Sequence, residues 1–512
     1  MTWFGKIFRG RRGGNKQQVA RIGIVGGGFS GTLVLVNLVD LAAPGTIVEL
    51  FEVRGDAGPG TAYGTRETTH LLNVPAGRMG ALAAQPDGFY RWLQTGACLA
   101  CRAQLWPRRD VQATDYVPRA LYAAYLKDLL ADTLVKASRA GIDVRIVRAT
   151  VLDVSLRGNA VCVVTQEDGR KQRSNFDALV LAAGNFPPRR PAFVDERALR
   201  SPRYVGDVWH PPASGVFPHG VDALPGAKTI LILGTGLTAV DAILTLQAHG
   251  FKGKTIAISR HGRLPAAHSA ERRGDWKWIV APDRVQPTAS ALLRWLKQEA
   301  RRAAANGVDW RSILDTLRPL TQTLWRKLST EERCKVLRKH SLWSIHRHRM
   351  APEIHAKIEA LQREGKLEVA AARIFSVRRR HGGFRVRLRR RGTAKSEVIR
   401  PSFILNCTGP EYDVATIDDR LLLNLLRKKL IVRSPVGAGI SIGADGSAEG
   451  GGNGCIFAIG PLLVGELFEC TAVPELREIA LRVAEHVAAS LPNPPRDSKS
   501  TGLRTDQSPP SP

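Results

Sequence analysis

Glycines at 26, 28 and 31, followed by a carboxylate at Glu52, are the first residues in the chain whose spacing could do chemistry. The run IGIVG (Ile22 to Gly26) reads as a short apolar strand. Gly26, Gly28 and Gly31 complete a G-x-G-x-x-G turn, TLVLVNLVDLA reads as a helix, and the next strand, TIVELFE, ends at Glu52. Each glycine has a mechanical role. Gly26 permits the tight turn, Gly28 lets a pyrophosphate approach the backbone, and Gly31 lets helix and strand pack closely. The free N–H groups at the start of the helix then face the phosphates, so Gly27, Phe29 and Ser30 belong to the same cradle. Glu52 can accept hydrogen bonds from a ribose 2′-OH. The pattern predicts a dinucleotide with a free ribose, FAD or NAD, and disfavours NADP, whose 2′-phosphate Glu52 would repel.

A second turn repeats the first some two hundred residues later. TILILG (Thr229 to Gly234) is again a strand, and Gly234, Gly236 and Ala239 give G-x-G-x-x-A, with Leu237 and Thr238 opening the next helix. The strand GKTIAIS that follows ends at Ser259 and Arg260, with Arg263 close behind and no acid where Glu52 stood. A guanidinium there can pair bidentately with a 2′-phosphate, which predicts an NADPH site. The alternative for Arg260 is a surface arginine at a strand end.

The elements around the two turns also repeat. After the first come VRIVRATVLDVSL and AVCVVTQEDG, ending in DALVLAAG (Asp177 to Gly184). After the second come LEVAAARIFSV and GFRVRLRR, ending in SFILNCTG (Ser402 to Gly409). Both final strands stop at a small-small-Gly ending, which lets backbone pass close to a cofactor, so Ala183, Gly184 and Gly409 are candidate FAD contacts. This order resembles the flavoproteins with two dinucleotide-binding domains. The resemblance implies an α/β fold of two Rossmann-like domains, the NADPH domain nested in the FAD domain. It also implies a closing segment from Asn453 to Ala489, with a strand ending at Gly460 and a helix starting near Pro474 whose N-terminus points at the flavin ring.

YVGDVWH (Tyr204 to His210) and GTGLTAVD (Gly234 to Asp241) are similar to fingerprints of the class B flavin monooxygenases. Tyr204 replaces their phenylalanine, and Ser214 stands where an aromatic is expected. His210 is thereby a candidate catalytic residue, or a linker histidine bonded between domains. A wider resemblance rests on GTAYGT…HLLNVPAGRM (Gly60 to Met79), QPDGFYRWL, YVPRALYAAYL (Tyr116 to Leu126), SRHGRLPAAH (Ser259 to His268) and HRHRMAP (His346 to Pro352). These stretches look like the family of FAD/NAD(P)-binding proteins that holds the bacterial FAD-dependent urate hydroxylases and the aspartate N-monooxygenases. The resemblance implies FAD with Asn73 and Met79 against the ring, NADPH as reductant, and oxygen delivered through a flavin peroxide adduct to a small substrate. The positive charge favours an anionic substrate, and the resemblance implies a nitrogen-containing one, such as an acidic amino acid or a purine. Arg347 and Arg349 could clamp its carboxylate or the NADPH phosphates, or form a solvated basic turn. A flavin reductase or oxidase that inserts no oxygen, and a non-enzymatic redox-sensing flavoprotein, would keep both cofactors.

Stepping outward from these residues, the organisation reads as a flexible basic arm (1–18), the FAD domain's first part (19–226), the NADPH domain's first part (227–286), a helical insertion (287–363), the NADPH domain's second part (364–400), the FAD domain's closing part (401–490) and a disordered tail (491–512). In the insertion, Leu292, Leu293, Leu296 and Ala300 fall on one helical stripe, Asp309 can cap a helix, and Ser329 to Glu332 reads as a capping box. A substrate lid and a packing or dimer element are both open for it.

The chain of 512 residues is long enough for several domains, and no apolar run approaches the ~20 residues of a membrane span. Seven cysteines, an odd number, argue for a reducing, cytoplasmic setting. Cys98 and Cys101 form a C-x-x-C without a redox-type helix start around it, so they read as incidental loop cysteines, with a redox pair as the alternative, and no metal is expected. The net charge of +29 comes from Lys and Arg spread along the whole chain. No nucleic-acid motif organises them, so no nucleic-acid partner is expected. The densest run, Arg378 to Arg391, reads as a strand with one wet face, with a DNA contact as the alternative. The basic start of the chain reads as an arm without stable membrane insertion, with a membrane-surface contact as its alternative.

Overall fold

The computed structural model describes residues 19–107, 110–158, 160–211, 228–269, 276–452 and 454–491. The expected basic arm, Ser214, Asn453 and all but the first residue of the expected tail lie outside these. In chain order the strands are β1 (Arg21–Val25), β2 (Ile47–Phe51), β3 (Asp143–Val147), β4 (Thr150–Arg157), β5 (Ala160–Glu167), β6 (Arg170–Phe176) and β7 (Ala178–Leu181). They continue with β8 (Tyr204–Val205), β9 (Thr229–Leu233), β10 (Lys254–Ser259), β11 (Leu367–Arg380), β12 (Gly383–Arg390), β13 (Glu397–Ile399), β14 (Phe403–Asn406) and β15 (Ile456–Ala458).

The first domain is a parallel sheet in the order β15-β7-β1-β2-β3, with β4-β5-β6 as a separate antiparallel meander. The second domain has the parallel order β11-β10-β9-β14-β8, so the two sheets share one arrangement of strands, except that the outermost strand β8 comes first in its domain where β15 comes last. They differ in how the meander attaches. In the second domain β11 runs on past the parallel sheet and pairs antiparallel with β12, which pairs with β13, so the meander continues the same sheet. The central strands are apolar throughout: all four residues of β7 and of β14 are buried, as strands covered on both faces require.

In the first domain the sheet is closed by its C-terminal segment. The helix Val473–Ser490 buries Leu476, Ile479, Ala480, Val483 and Val487, a 3.6-residue stripe, and packs on the helix Phe29–Leu41 that follows the first glycine turn. The strand Phe403–Asn406, expected in the closing part of the first domain, instead pairs with β9, and Tyr204–Val205 pairs with β14 on its other side. The second domain is therefore larger than expected at both ends.

The insertion holds helices at Ala289–Ala305, Trp310–Leu317, Thr321–Lys327, Thr330–Arg338, His340–Arg347 and Pro352–Arg363. Asp309 and Ser329 cap two of them, accepting from the backbone N–H of Arg311 and Glu332. The first helix buries Ala291, Trp295, Glu299 and Ala303, and Leu293 of the expected stripe is exposed. The face is set by Trp295, whose ring stacks near Trp278 with centroids 4.9 Å apart and whose indole donates to the Val280 carbonyl. The insertion bridges both domains. Trp325 donates to the Gly465 carbonyl of the first, and His268 and Met350 join a short parallel bridge with the second.

Candidate active site

The two glycine turns are built alike to the level of single hydrogen bonds. The Gly26 N–H donates to the Phe51 carbonyl at 3.0 Å, and the Gly234 N–H to the Ile258 carbonyl at 2.8 Å. The N–H groups of Ala182 and Cys407 donate to the Val25 and Leu233 carbonyls, both at 2.8 Å. Gly26 and Gly234 sit at φ +105° and +106°, and a Cβ on either would run into the carbonyl oxygen of Ala182 or Cys407. Only glycine fits both demands. A Cβ on Gly31 would likewise collide with the Gly26 carbonyl.

Neither following helix has a side-chain cap at its N-cap glycine, Gly28 or Gly236, so the first N–H groups are left for an anion. The turns differ in cover. A Cβ on Gly28 would stand 3.2 Å from the Gly60 Cα, whereas nothing lies within 4 Å of one on Gly236. Phe29 is buried, and Gly460 lies beside Ser30, a Cβ there being 3.2 Å from Ser30 Oγ. Gly184 follows β7 at φ +72°. Gly409, expected at the first cradle, follows β14 and so belongs to the second turn.

Glu52 stands at the end of β2, mostly buried. Its Oε2 accepts from the Gly27 N–H at 3.1 Å and its Oε1 from the Arg54 N–H at 3.0 Å. In the second turn, Thr235 Oγ1 lies 2.9 Å from Ser259 Oγ, which accepts from the Gly262 N–H at 2.9 Å. These bonds fix the loop on which Arg260 and Arg263 are exposed, and Leu237 and Thr238 open the helix that follows the turn. A cradle that glycine alone can line, followed by an uncapped helix, fits a pyrophosphate at each turn. Glu52 fits a ribose hydroxyl, and the exposed guanidinium of Arg260 fits a 2′-phosphate.

Four of the sequence stretches that carried the resemblance meet where the two domains and the insertion adjoin. His268 Nε2 lies 2.9 Å from the Asn73 carbonyl, which can only accept, so Nε2 carries the proton. The His268 ring lies 5.0 Å from the Tyr116 ring. Burial, with the nearby Arg349 charge, pulls the His268 pKa down to about 4, so it is neutral at neutral pH. Burial also raises the Tyr116 hydroxyl well above its ordinary value, against the pull of Arg349. Asn73, Tyr116, His268 and Arg349 thus bring together the first domain, the second domain and the insertion. Met79 is buried nearby in sequence, in the first domain's core.

Arg347 and Arg349 are not free clamps. Arg347 Nε donates to Glu469 at 3.0 Å and its Nη2 lies 3.5 Å from Glu475, while Arg349 is buried and donates to Asp315. Glu469 also accepts from the Trp343 indole at 2.6 Å, and Arg318 grips Glu475 with two N–H donors. The insertion therefore neutralises two carboxylates, Glu469 on the segment that leads into the helix Val473–Ser490 and Glu475 in its first turn. His210 hydrogen-bonds Asp207 at 2.7 Å and Thr61 at 3.3 Å, so it links the connection between domains to the first domain. Cys98 and Cys101 lie on the helix Gly96–Leu105 rather than in a loop. Burial pushes the Cys98 thiol up to about 11, the reverse of a reactive thiolate.

Sequence reasoning gave no role to His268, Tyr116, Arg119 or Asp241, although each lay inside a quoted motif. It missed His70, which is buried at the domain junction with Nε2 2.8 Å from Thr245 Oγ1 and 3.1 Å from the Asp241 carbonyl. Motif membership was the available signal; contact between motifs was not.

Residues 23–186 match the family model described as FAD-NAD(P)-binding. No curated protein matches the chain by sequence. Among solved structures, the chain is similar to the ornithine hydroxylase PvdA of Pseudomonas aeruginosa in its reduced form, at 16% identity and a TM-score of 0.63, covering 92% of this chain and 99% of that one. It is similar to the cadaverine monooxygenase DfoA of Erwinia amylovora, crystallised with FAD, at 14% identity and a TM-score of 0.59, covering 95% and 99%. It is also similar to L-lysine 6-monooxygenase of Pseudomonas syringae, at 16% identity and a TM-score of 0.58, covering 92% and 99%. The likeness extends over nearly the whole of each chain and establishes the architecture: a two-domain FAD/NAD(P)-binding flavoprotein fold, one Rossmann-like domain nested in the other.

Proposed function

We propose that this chain is an FAD-dependent, NADPH-consuming monooxygenase that hydroxylates a small anionic, nitrogen-containing substrate such as an acidic amino acid or a purine. The family of urate hydroxylases and aspartate N-monooxygenases that its motifs resemble is the proposed placement. The observation that carries the reading is the meeting of Asn73, Tyr116, His268 and Arg349 where the two domains and the insertion adjoin.

FAD belongs at the first turn, where Gly26, Gly27, Gly28, Phe29, Ser30 and Gly31 face the pyrophosphate and Glu52 the ribose. Gly60 covers that turn, as suits a group held through many turnovers. NADPH belongs at the second, which is open over Gly236, as suits a reductant that must leave. Gly234, Gly236, Leu237 and Thr238 face its pyrophosphate, and Ser259, Arg260 and Arg263 its 2′-phosphate. Reduced FAD, when bound, supplies the electrons with which dioxygen is divided between substrate and water. The chain's own residues do the rest. His268 stays neutral and holds its proton at Nε2 on the Asn73 carbonyl, which fixes that strand of backbone. The insertion covers the junction and excludes water, without which oxygen would end as hydrogen peroxide. The likeness to an ornithine hydroxylase, an L-lysine 6-monooxygenase and a cadaverine monooxygenase supports oxygen transfer to nitrogen.

The test is oxidation of NADPH by the purified yellow protein with acidic amino acids and purines offered in turn, measuring hydroxylated product against hydrogen peroxide. Product in step with NADPH is expected for one class. Peroxide accounting for all NADPH with every candidate would make the protein a reductase or oxidase. Failure of NADPH to bleach the flavin would leave the redox-sensing reading.

A further inference from the structure

The second domain's sheet carries a field of charge on its outward face that neither nucleotide cradle uses. On β11 and β12, Val377, Phe384, Val386 and Leu388 point into the core, and Arg373, Arg378, Arg385, Arg387 and Arg389 lie on the opposite face. The register sets arginine directly across from arginine twice, Arg373 against Arg389 and Arg378 against Arg385. Like charges opposite each other in an antiparallel pair are destabilising. Among the described residues no carboxylate lies in ion-pair reach of any of the five. Glu368 and Glu397, the acids of this meander, pair with Arg390 and Lys254 instead. Edge protection does not account for the cluster, because β13 covers the edge of β12.

A bulge between Ile374 and Ser376 places Phe375 among the arginines, with the guanidinium carbons of Arg373, Arg387 and Arg389 at 5.6, 5.5 and 5.7 Å from its ring centroid. The ring spreads three cations over one flat face instead of letting them find separate partners.

We propose that this arginine face docks the protein on a bilayer surface rich in anionic phospholipid. The face is made to meet phosphate, since guanidinium binds it bidentately. Bases are a poorer match. Phe375 already has three guanidinium groups near its ring, and no Asn or Gln of these strands joins the arginines to read base edges. The sequence supplies an apolar complement. Trp3, Phe4, Ile7 and Phe8 recur at helical spacing beside Lys6, Arg9, Arg11 and Arg12, and no acidic residue precedes Asp40. That is the composition of segments that lie in a membrane interface. Among the described residues no helix is long and apolar enough to cross a membrane, so the contact is peripheral.

The test uses the full-length, FAD-loaded protein with vesicles of phosphatidylglycerol and of phosphatidylcholine, and the variant R385Q/R387Q/R389Q. Wild type should sediment with the anionic vesicles alone and come off as salt shortens the screening length from ~30 to ~3 Å. The variant should bind them on the order of 100-fold more weakly, from a roughly five-fold step per basic residue near such a surface. It should keep its flavin and its KM for NADPH, and its thermal midpoint should hold or rise as the like charges go. Equal binding to phosphatidylcholine, undiminished binding by the variant, a raised KM for NADPH in the variant, or preference for a single-stranded oligonucleotide over the vesicles would each overturn the proposal.

Discussion

Arg119 of the first domain donates to Asp241 of the second at 2.8 Å, with side chains only 13% and 9% exposed. Arg119 opens the long helix Arg119–Arg139, and Asp241 sits in the helix Leu237–Ala248 that leaves the second glycine turn. The Arg119 guanidinium also lies over the Trp209 ring, 5.6 Å from its centroid, and His70 and the Glu67–His249 pair reach the same helix. This junction sets the angle between the two nucleotide cradles. Asp241→Ala leaves a buried guanidinium unpaired and should lower stability by about 3 kcal/mol. Removing Arg119 as well should cost less than the two single changes added together. Denaturant unfolding of the two single variants and the double variant gives the coupling, and strict additivity would mean the pair is not linked.

Glu52 controls the first cradle. Replacing it by Arg would set a cation where Glu52 now accepts from the Gly27 N–H, and remove the ribose partner. Glu52→Arg should therefore emerge from purification with little flavin per mole of protein. A fully yellow variant would remove Glu52 from the site.

Arg260 decides the choice of nicotinamide nucleotide. It is exposed, on a loop tied down by Ser259, with no carboxylate in ion-pair reach among the described residues. Arg260→Ala should raise KM for NADPH about tenfold, equivalent to ~1.4 kcal/mol, and leave KM for NADH as it was. Equal changes for both nucleotides would place the 2′-phosphate elsewhere.

The buried histidines make the fold sensitive to acid. His268 is held at about 4 and His348 at about 3, both chiefly by burial. Each therefore binds a proton more readily unfolded than folded. Their contribution is complete above the ordinary histidine value of 6.5 and is lost as pH falls through the window toward 4. For His268 it is on the order of 3 kcal/mol. The thermal midpoint should fall steadily from about pH 6.5 to pH 4, and His268→Gln should flatten part of that slope. A midpoint unchanged across the window would contradict the burial of these rings.

Backbone demands were the legible part of this protein. Gly26, Gly31 and Gly234 occupy positions where a Cβ collides with a carbonyl, and such constraints mark the sequence directly. Caps such as Asp309 and Ser329 were legible for the same reason, since the cap and its N–H lie within three residues. Long-range pairing was not. Arg347 and Arg349 looked like free cations because Glu469, Glu475 and Asp315 are distant in sequence, and nothing local announced them. The stripe expected on Ala289–Ala305 is shifted rather than kept, with Leu292, Leu296 and Ala300 half-buried and Leu293 exposed, because the position of Trp278 decides which side of that helix is covered.

The nesting of one domain in the other has a consequence for synthesis. Every strand of the second sheet lies between Tyr204 and Asn406, whereas the first sheet waits for Ile456–Ala458 to pair with β7. On the ribosome the inner domain can close while the outer one still has an open margin and no covering helix. A chain released early, before Ile456, would thus carry a finished inner half joined to an outer half prone to aggregate.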